Sequence, residues 1–355
     1  MTSTTAPSAS GLDRFRPLWR DRAVMANLVG QIAIIVTGGT VRLTGSGLGC
    51  STWPNCEPGQ FTPELHAATS YHAFVEFGNR TVTVVLVALA VAVALLAGLD
   101  ASRSTAYRVL GWVPLFGVLV NAVVGGMAVL FELPPAVVGS HMLISLALVA
   151  ASAWLWVRSR EGDGRSVFVV DRMTRWLVVG LAAVTVVLLV LGVVTTGAGP
   201  HSGDDEVGYR FALDPTEMAR IHAAAVWVFV ALLAFLLYRL QRLDRRARDA
   251  AQAQPPLTYT LPDGTVQPVR GTAPTPPAAE YSRPLRAGYW LLGAALAQGA
   301  LGYVQVFTGL PIALVNLHML GAALVVVTFA LFVGTLRRRQ GEPARVAAEA
   351  TASAA

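Results

Sequence analysis

The sequence predicts an all-α membrane protein in which eight transmembrane helices form two repeated four-helix bundles. Three observations predict it: a composition that is 54% hydrophobic and only 14% charged, eight long apolar runs, and a motif that recurs at a fixed offset. A mean hydropathy of +0.55 nearly excludes a water-soluble domain. All 27 basic residues are arginine, so the formal charge of +6 comes from a side chain that stays ionised. Too few charges remain for a solvated basic face, which argues against a nucleic-acid partner. The lipid bilayer is the expected surrounding.

A bilayer span needs about 20 predominantly apolar residues. Stretches near 24–42, 77–99, 107–130, 135–157, 174–197, 218–238, 287–308 and 312–336 satisfy this. The first reads as a retained anchor rather than a signal peptide, because it follows a long polar arm and ends in Thr37, Gly38, Gly39, Thr40 and Arg42 without a cleavage site. With the N-terminus cytoplasmic, only Arg42, Arg80, Arg210 and Arg220 among the 27 arginines fall on or near the outside. That bias predicts a multi-pass protein of the plasma membrane with both termini cytoplasmic.

The expected organisation is a cytoplasmic arm over 1–22, a first four-helix half over 23–157, a cytoplasmic loop over 158–173 and a second half over 174–340. The second half carries a flexible linker over 245–284, rich in Pro, Ala, Gln and Thr, and residues 341–355 read as a disordered tail. The halves are read from a repeat. Leu133-Pro-Pro-Ala-Val-Val-Gly-Ser-His141-Met-Leu matches Leu310-Pro-Ile-Ala-Leu-Val-Asn-Leu-His318-Met-Leu at an offset of 177, with seven of eleven positions identical. A weaker match pairs Thr44-Gly-Ser-Gly47 with Thr196-Gly-Ala-Gly199.

Six histidines divide by position. His66 and His201 fall in outside loops and read as solvated surface. His141, His222 and His318 lie one or two turns inside spans four, six and eight, where an ionisable residue is a functional candidate. A lone histidine there also serves as an interhelical hydrogen-bonding group. Two imidazoles from neighbouring helices of one half can instead supply both axial ligands of a haem, which points to His222 with His318. Ala223, Ala224, Ala225, Gly321 and Ala322 are small enough to leave room for a macrocycle. In the first half His141 is the partner of His318, while the position matching His222 falls near Asn79, a poor iron ligand.

The densest polar group at any span start is His72-Ala-Phe-Val-Glu76-Phe-Gly-Asn79-Arg80, whose polar members share one helical face. Glu76 reads either as a proton acceptor or as the neutralising partner of Arg80. Cys50 and Cys56, the only cysteines, are separated by five residues in the outside loop after span one, where a disulfide is expected. That disulfide is either a staple or a redox pair. The outside arginines, Arg80 and Arg220 included, read equally as partners of haem propionates or of Asp204, Asp205, Glu206, Asp214 and Glu217.

Over residues 20–340 the chain resembles the haem A synthases, in a form like that of high-GC Gram-positive bacteria. The resemblance rests on the eight spans in two repeated halves, the cysteine pair, the Glu76-Phe-Gly-Asn79-Arg80 string and His141, His222 and His318. It implies oxidation of the C8 methyl of haem O to the formyl group of haem A for terminal oxidase assembly. It also implies haem b held by His222 and His318, substrate haem O bound with His141 as a ligand, an essential Glu76 and a Cys50–Cys56 disulfide. The haem O-forming farnesyltransferase is an implied partner, and homo-oligomers are left open. Many members carry histidine where this chain has Asn79, which leaves three readings: ligation by His141 alone, replacement by His72, or an open sixth position. The competing functions are a di-haem b-type electron carrier, which would be expected to show four ligands, and a transporter, which would need helices broken at mid-span.

Overall fold

The computed structural model describes residues 11–64, 70–204, 206–253, 258–260, 266–268 and 279–339. His66, Asp205, the tail 341–355 and most of the linker therefore lie outside the described residues. The helices are α1 (Gly11–Leu43), α2 (Tyr71–Val93), α3 (Thr105–Leu130), α4 (Pro135–Arg160), α5 (Arg172–Ala198), α6 (Pro215–Ala253), α7 (Ala279–Phe307) and α8 (Ile312–Thr335). A π-helical turn over Ala94–Gly98 extends α2. All eight are long and apolar enough to cross a membrane. This follows from solvation: hydrocarbon offers a peptide group no partner, so each span satisfies its backbone internally as helix.

The apolar windows of the spans are only 11% to 39% buried within the protein, as expected of helices whose outer faces meet lipid. Val84, Phe116, Trp290 and Phe307 face outward in this way. Packing inside runs around two groups of helices. The helices α1, α2, α3 and α4 contact one another in a ring, α5 to α8 contact in sequence, and α1 and α4 join the groups through α8 and α5. Leu146, Val149 and Ala153 of α4 pack with Ala323, Val326 and Ala330 of α8 in one apolar cluster. These three pairs are related by the same offset of 177 as the sequence motif.

The correspondence extends to the backbone. Glu132 and Leu133 have positive φ, as do Gly309 and Leu310, and the Leu133 amide bonds the Ala128 carbonyl at 2.7 Å as the Leu310 amide bonds that of Gln305. Each such turn ends one helix and aims the next, with Pro134 and Pro311 at the N-caps of α4 and α8.

The helices overrun their apolar windows. α6 continues from the predicted end near 238 to Ala253, supported by pairs such as Arg248–Asp244 at 2.7 Å one turn apart. Within the segment read as a linker, β2 (Thr258–Thr260) pairs antiparallel with β3 (Val266–Pro268).

At the end of the bundle away from the cysteine loop, arginines and acids lock the termini of the helices. Arg158, almost wholly buried, meets Glu161 at 2.6 Å and Asp163 at 3.0 Å. Glu161 also takes Arg337 and Arg339, and Asp163 takes Arg103 at 2.6 Å together with the amide and hydroxyl of Ser104. β1 (Ser166–Phe168) closes this end by pairing antiparallel with β4 (Arg337–Arg339). Burial alone would raise the Asp163 carboxyl, but the bonds from Arg103 and Ser104 outweigh it and hold the group well below the usual carboxylate range. The stabilisation from Asp163 is therefore complete at neutral pH and is lost only as the pH falls through that depressed value. Asp163→Asn should cost about 1–2 kcal/mol at pH 7, and its deficit in melting temperature relative to the parent should shrink as the pH drops below the ordinary carboxylate range.

Candidate functional site

The polar string at the start of α2 and the cysteine loop fold into one unit. Cys50 and Cys56 are joined by a disulfide and both are fully buried against Ala73 and Phe77. Gly49 makes this possible, since a Cβ there would overlap the His72 carbonyl of the first turn of α2. Glu76, 4% exposed, accepts the Cys50 amide at Oε2 at 2.7 Å. Its Oε1 accepts Nη2 and Nε of Arg80 at 2.6 and 3.2 Å. The remaining donors of Arg80 reach the carbonyls of Thr52, Pro54 and Asn55 at 2.9, 3.2 and 2.8 Å. The guanidinium is thus consumed by Glu76 and the loop. Trp53 of that loop lies over Gly126 of α3, beside the region of His141.

His72 bonds Ser46 Oγ through Nδ1 at 2.8 Å and packs on Tyr71. Asn79 lies two turns further along α2, about 10 Å by the helical rise. Its amide oxygen accepts the Thr37 hydroxyl at 2.7 Å, and Gly38 of α1 is its neighbour. On the same outer stretch of α1, Thr40 Oγ1 accepts Asn316 Nδ2 of α8 at 2.9 Å. Asn316 is two residues from His318, so a few residues of α1 touch the surroundings of both Asn79 and His318.

The three span histidines share a setting. Gly125 of α3 faces the His141 ring, Gly192 of α5 faces His222, and Gly302 of α7 faces His318. A Cβ added at any of these glycines would fall 2.9 to 3.2 Å from the imidazole Cε1. A side chain at any of the three would therefore push the ring away, and glycine is what lets it lie against the helix. Gly125 and Gly302 are related by the offset of 177.

His141 Nδ1 donates to the Asn121 carbonyl, one turn before Gly125, at 3.0 Å. That bond fixes the tautomer and leaves Nε2 with its lone pair free for an electrophile. The Leu188 carbonyl, one turn before Gly192, lies in the corresponding place beside His222 but outside regular hydrogen-bond geometry. His222 and His318 are within electrostatic range of one another, and the Nδ1 atoms of both are buried without a regular hydrogen bond. Two imidazoles with unbonded Nδ1 atoms, carried on α6 and α8 and within electrostatic range of one another, form a donor set that fits an iron porphyrin.

Some expected features lie elsewhere. The notch at Gly321 is filled by Gln298, whose Nε2 donates to the His318 carbonyl at 2.7 Å, so Gly321 does not supply room for a macrocycle. His201 is half-buried rather than solvated and meets the Leu310 carbonyl at 3.2 Å. Arg42 binds the carbonyls of His201 and Thr196 at 3.0 and 3.1 Å, joining the ends of α1 and α5. Arg210 binds the Pro200 carbonyl at 2.6 Å, and Arg220 is exposed on α6 two residues before His222. Asp204 and Asp214 turn onto backbone amides of Val207 and Glu217. The three ring-facing glycines are not among the residues expected from sequence, although the repeat spacing of Gly125 and Gly302 carried a signal for two of them.

Residues 21–201, a little more than half of the chain, match the family described as cytochrome oxidase assembly protein, COX15-CtaA. The chain belongs to this family. Proteins named heme A synthase are similar to it. That of Exiguobacterium sp. is 28% identical over 165 residues, covering 46% of this chain and 53% of the relative. That of Lysinibacillus sphaericus is 27% identical over 216 residues, covering 58% and 66%. That of Symbiobacterium thermophilum is 28% identical over 273 residues, covering 70% and 85%. The chain thus spans about half the length of the Exiguobacterium relative in the matched region. Within the cytochrome oxidase assembly family match lie Glu76, Asn79 and His141, whereas His222 and His318 lie beyond it.

The glycine contacts lead to a direct check. Gly192→Val or Gly302→Val should displace the facing imidazole and weaken haem retention by at least about tenfold, measured by haem titration of the purified protein, while the far-ultraviolet helical signal is unchanged.

Proposed function

We propose that the protein is a haem A synthase of the plasma membrane, with both termini cytoplasmic, oxidising the C8 methyl of haem O to the formyl group of haem A. The observation that carries the reading is the pair His222 and His318, within electrostatic range of one another and each ring set against a helix glycine, in a chain of the cytochrome oxidase assembly family. The similarity to proteins named heme A synthase supports it. In this reading the chain is two repeated four-helix halves, the second holding haem b and the first holding haem O.

His222 and His318 would hold haem b through Nε2, and that haem supplies one-electron redox chemistry when bound. His141 would bind the substrate iron, its ring oriented by the Asn121 carbonyl so that Nε2 faces outward from α3. Asn79 is tied to Thr37 and leaves ligation on that side to His141 alone, with the sixth position open. His72 lies about two turns from Asn79 and is held by Ser46, which disfavours it as the replacement ligand. Glu76 acts as the proton acceptor at Oε2, where the Cys50 amide engages one lone pair and leaves another. Arg80 keeps Glu76 in place and braces the disulfide loop, so propionate pairing falls to Arg220, which is exposed near His222. The haem O-forming farnesyltransferase is the partner expected to deliver so apolar a substrate.

The electron-carrier reading is weaker because Asn79 stands where a fourth ligand would be required. Expression in a host that makes haem O separates the two: the parent chain should yield haem A in the pigment extract, and haem-loaded protein without haem A would refute the synthase reading. His222→Ala and His318→Ala should each remove the low-spin b-type spectrum, and Glu76→Gln should keep that spectrum while lowering conversion at least about a hundredfold. Asn79→His should convert the substrate site to a six-coordinate low-spin spectrum and slow turnover, whereas His72→Ala should leave the spectrum as it was.

A further inference from the structure

The first group of helices contains buried polar side chains that the reaction site does not use. Asn27 and Gln31 of α1, Tyr107 and Asn121 of α3, and Ser145 and Ser152 of α4 are each less than a tenth exposed. Asn27 Nδ2 donates to Ser152 Oγ at 3.0 Å, and Asn121 Nδ2 donates to Ser145 Oγ at 2.9 Å. Ser145 Oγ in turn donates to the His141 carbonyl at 3.0 Å. Four atoms remain without a protein partner: Tyr107 Oη, Asn27 Oδ1, Gln31 Nε2 and Asn121 Oδ1.

These atoms fall in order along the bundle. Tyr107 packs with Val24 and Leu155, one turn from Asn27 and Ser152 toward the arginine-rich end. Arg103 and Arg20 lie over its ring, and Arg20 pairs with Asp100 and Asp21. Gln31 stands one turn beyond Asn27, and Ser145 two turns from Ser152, so Gln31 occupies the level between the two hydrogen-bonded pairs. At the matching places of the other group of helices the offset of 177 carries Ser145 to Ala322, Ser152 to Phe329 and Asn121 to Gln298, whose Oε1 is likewise buried without a protein partner. A buried polar atom left unpaired in a low-dielectric interior is costly, and ordered water with two to four polar partners is the usual remedy.

We propose that Tyr107, Asn27, Gln31 and Asn121 hold a file of water molecules that carries protons between the arginine-rich end and the His141 site. The proposal rests on the reading of the first half as the substrate site. Water bridging hydroxyl and amide groups forms a hydrogen-bonded chain, and oxidation in a site covered by the disulfide loop needs proton exchange with bulk solvent.

Hydroxyl-radical footprinting by X-ray radiolysis, applied to the haem-loaded full chain in lipid nanodiscs, reads bound water directly. Tyr107 and Phe332 are both 0% exposed, so bulk access is equal. Tyr107 should label at least about tenfold faster than Phe332, and Asn27→Leu with Gln31→Leu should remove most of that excess; equal labelling would overturn the proposal. In the pigment assay the same leucine variants should lower conversion at least about tenfold, with the b-type spectrum and melting temperature retained, because unpaired polar atoms have been removed. Gln31→Ser, which keeps a polar group and space for water, should restore most of the rate. Leucine variants that melt earlier yet convert at the parental rate per folded molecule would make these side chains packing groups and refute proton transfer. Should the parent chain form no haem A, the synthase reading fails, and footprinting still decides whether the file exists.

Discussion

Hydrocarbon withholds hydrogen bonds, and every polar group that enters a span must bring a partner with it or be given one by a neighbour. The arrangement of this protein follows from how its few polar residues meet that demand. Arg80 is the clearest case, because its donors are divided between Glu76 on its own helix and three carbonyls of the cysteine loop. That guanidinium ties the loop to α2, while the disulfide closes the loop on itself. Glu76 answers the same demand from the other side, accepting both Arg80 and the Cys50 amide. Loop, carboxylate and guanidinium therefore form one structural unit, and a change in any one of them is felt by the other two.

The histidines meet the demand differently. An imidazole is too bulky to lie against a helix that carries side chains, so the helix opposite each ring has glycine. In the first group the reward is a bond from His141 to the Asn121 carbonyl. In the second group the corresponding nitrogens of His222 and His318 make no regular hydrogen bond to the protein. The chemistry assigned to each site matches this difference: one ring is oriented by a backbone carbonyl, while the two of the second group keep Nδ1 unbonded.

The spans were legible in the sequence because hydropathy over about 20 residues is a bulk property that survives ignorance of neighbours. Their ends were less so, since α6 persists past its apolar window on local charge pairs such as Arg248–Asp244. His141, His222 and His318 stood out as ionisable groups at matching depth, and the disulfide followed from two cysteines in one loop. What composition could not reveal was pairing across the fold. The role of Gly192 depends on a ring carried by another helix, the notch at Gly321 is taken by Gln298, and His201 is drawn inward by the Leu310 carbonyl. Each of these depends on which helix lies opposite, and a single sequence records that only where a repeat exposes it.

The short strand pair at the arginine-rich end bears on how the molecule is made. β1 lies between α4 and α5, whereas its partner β4 follows α8, and Glu161 beside β1 is gripped by Arg337 and Arg339 of β4. A chain emerging from the ribosome has already made all of its spans before that partner exists. The two groups of helices can then meet and adjust before the clasp between them is fastened, so the order of synthesis itself sets the order of closure.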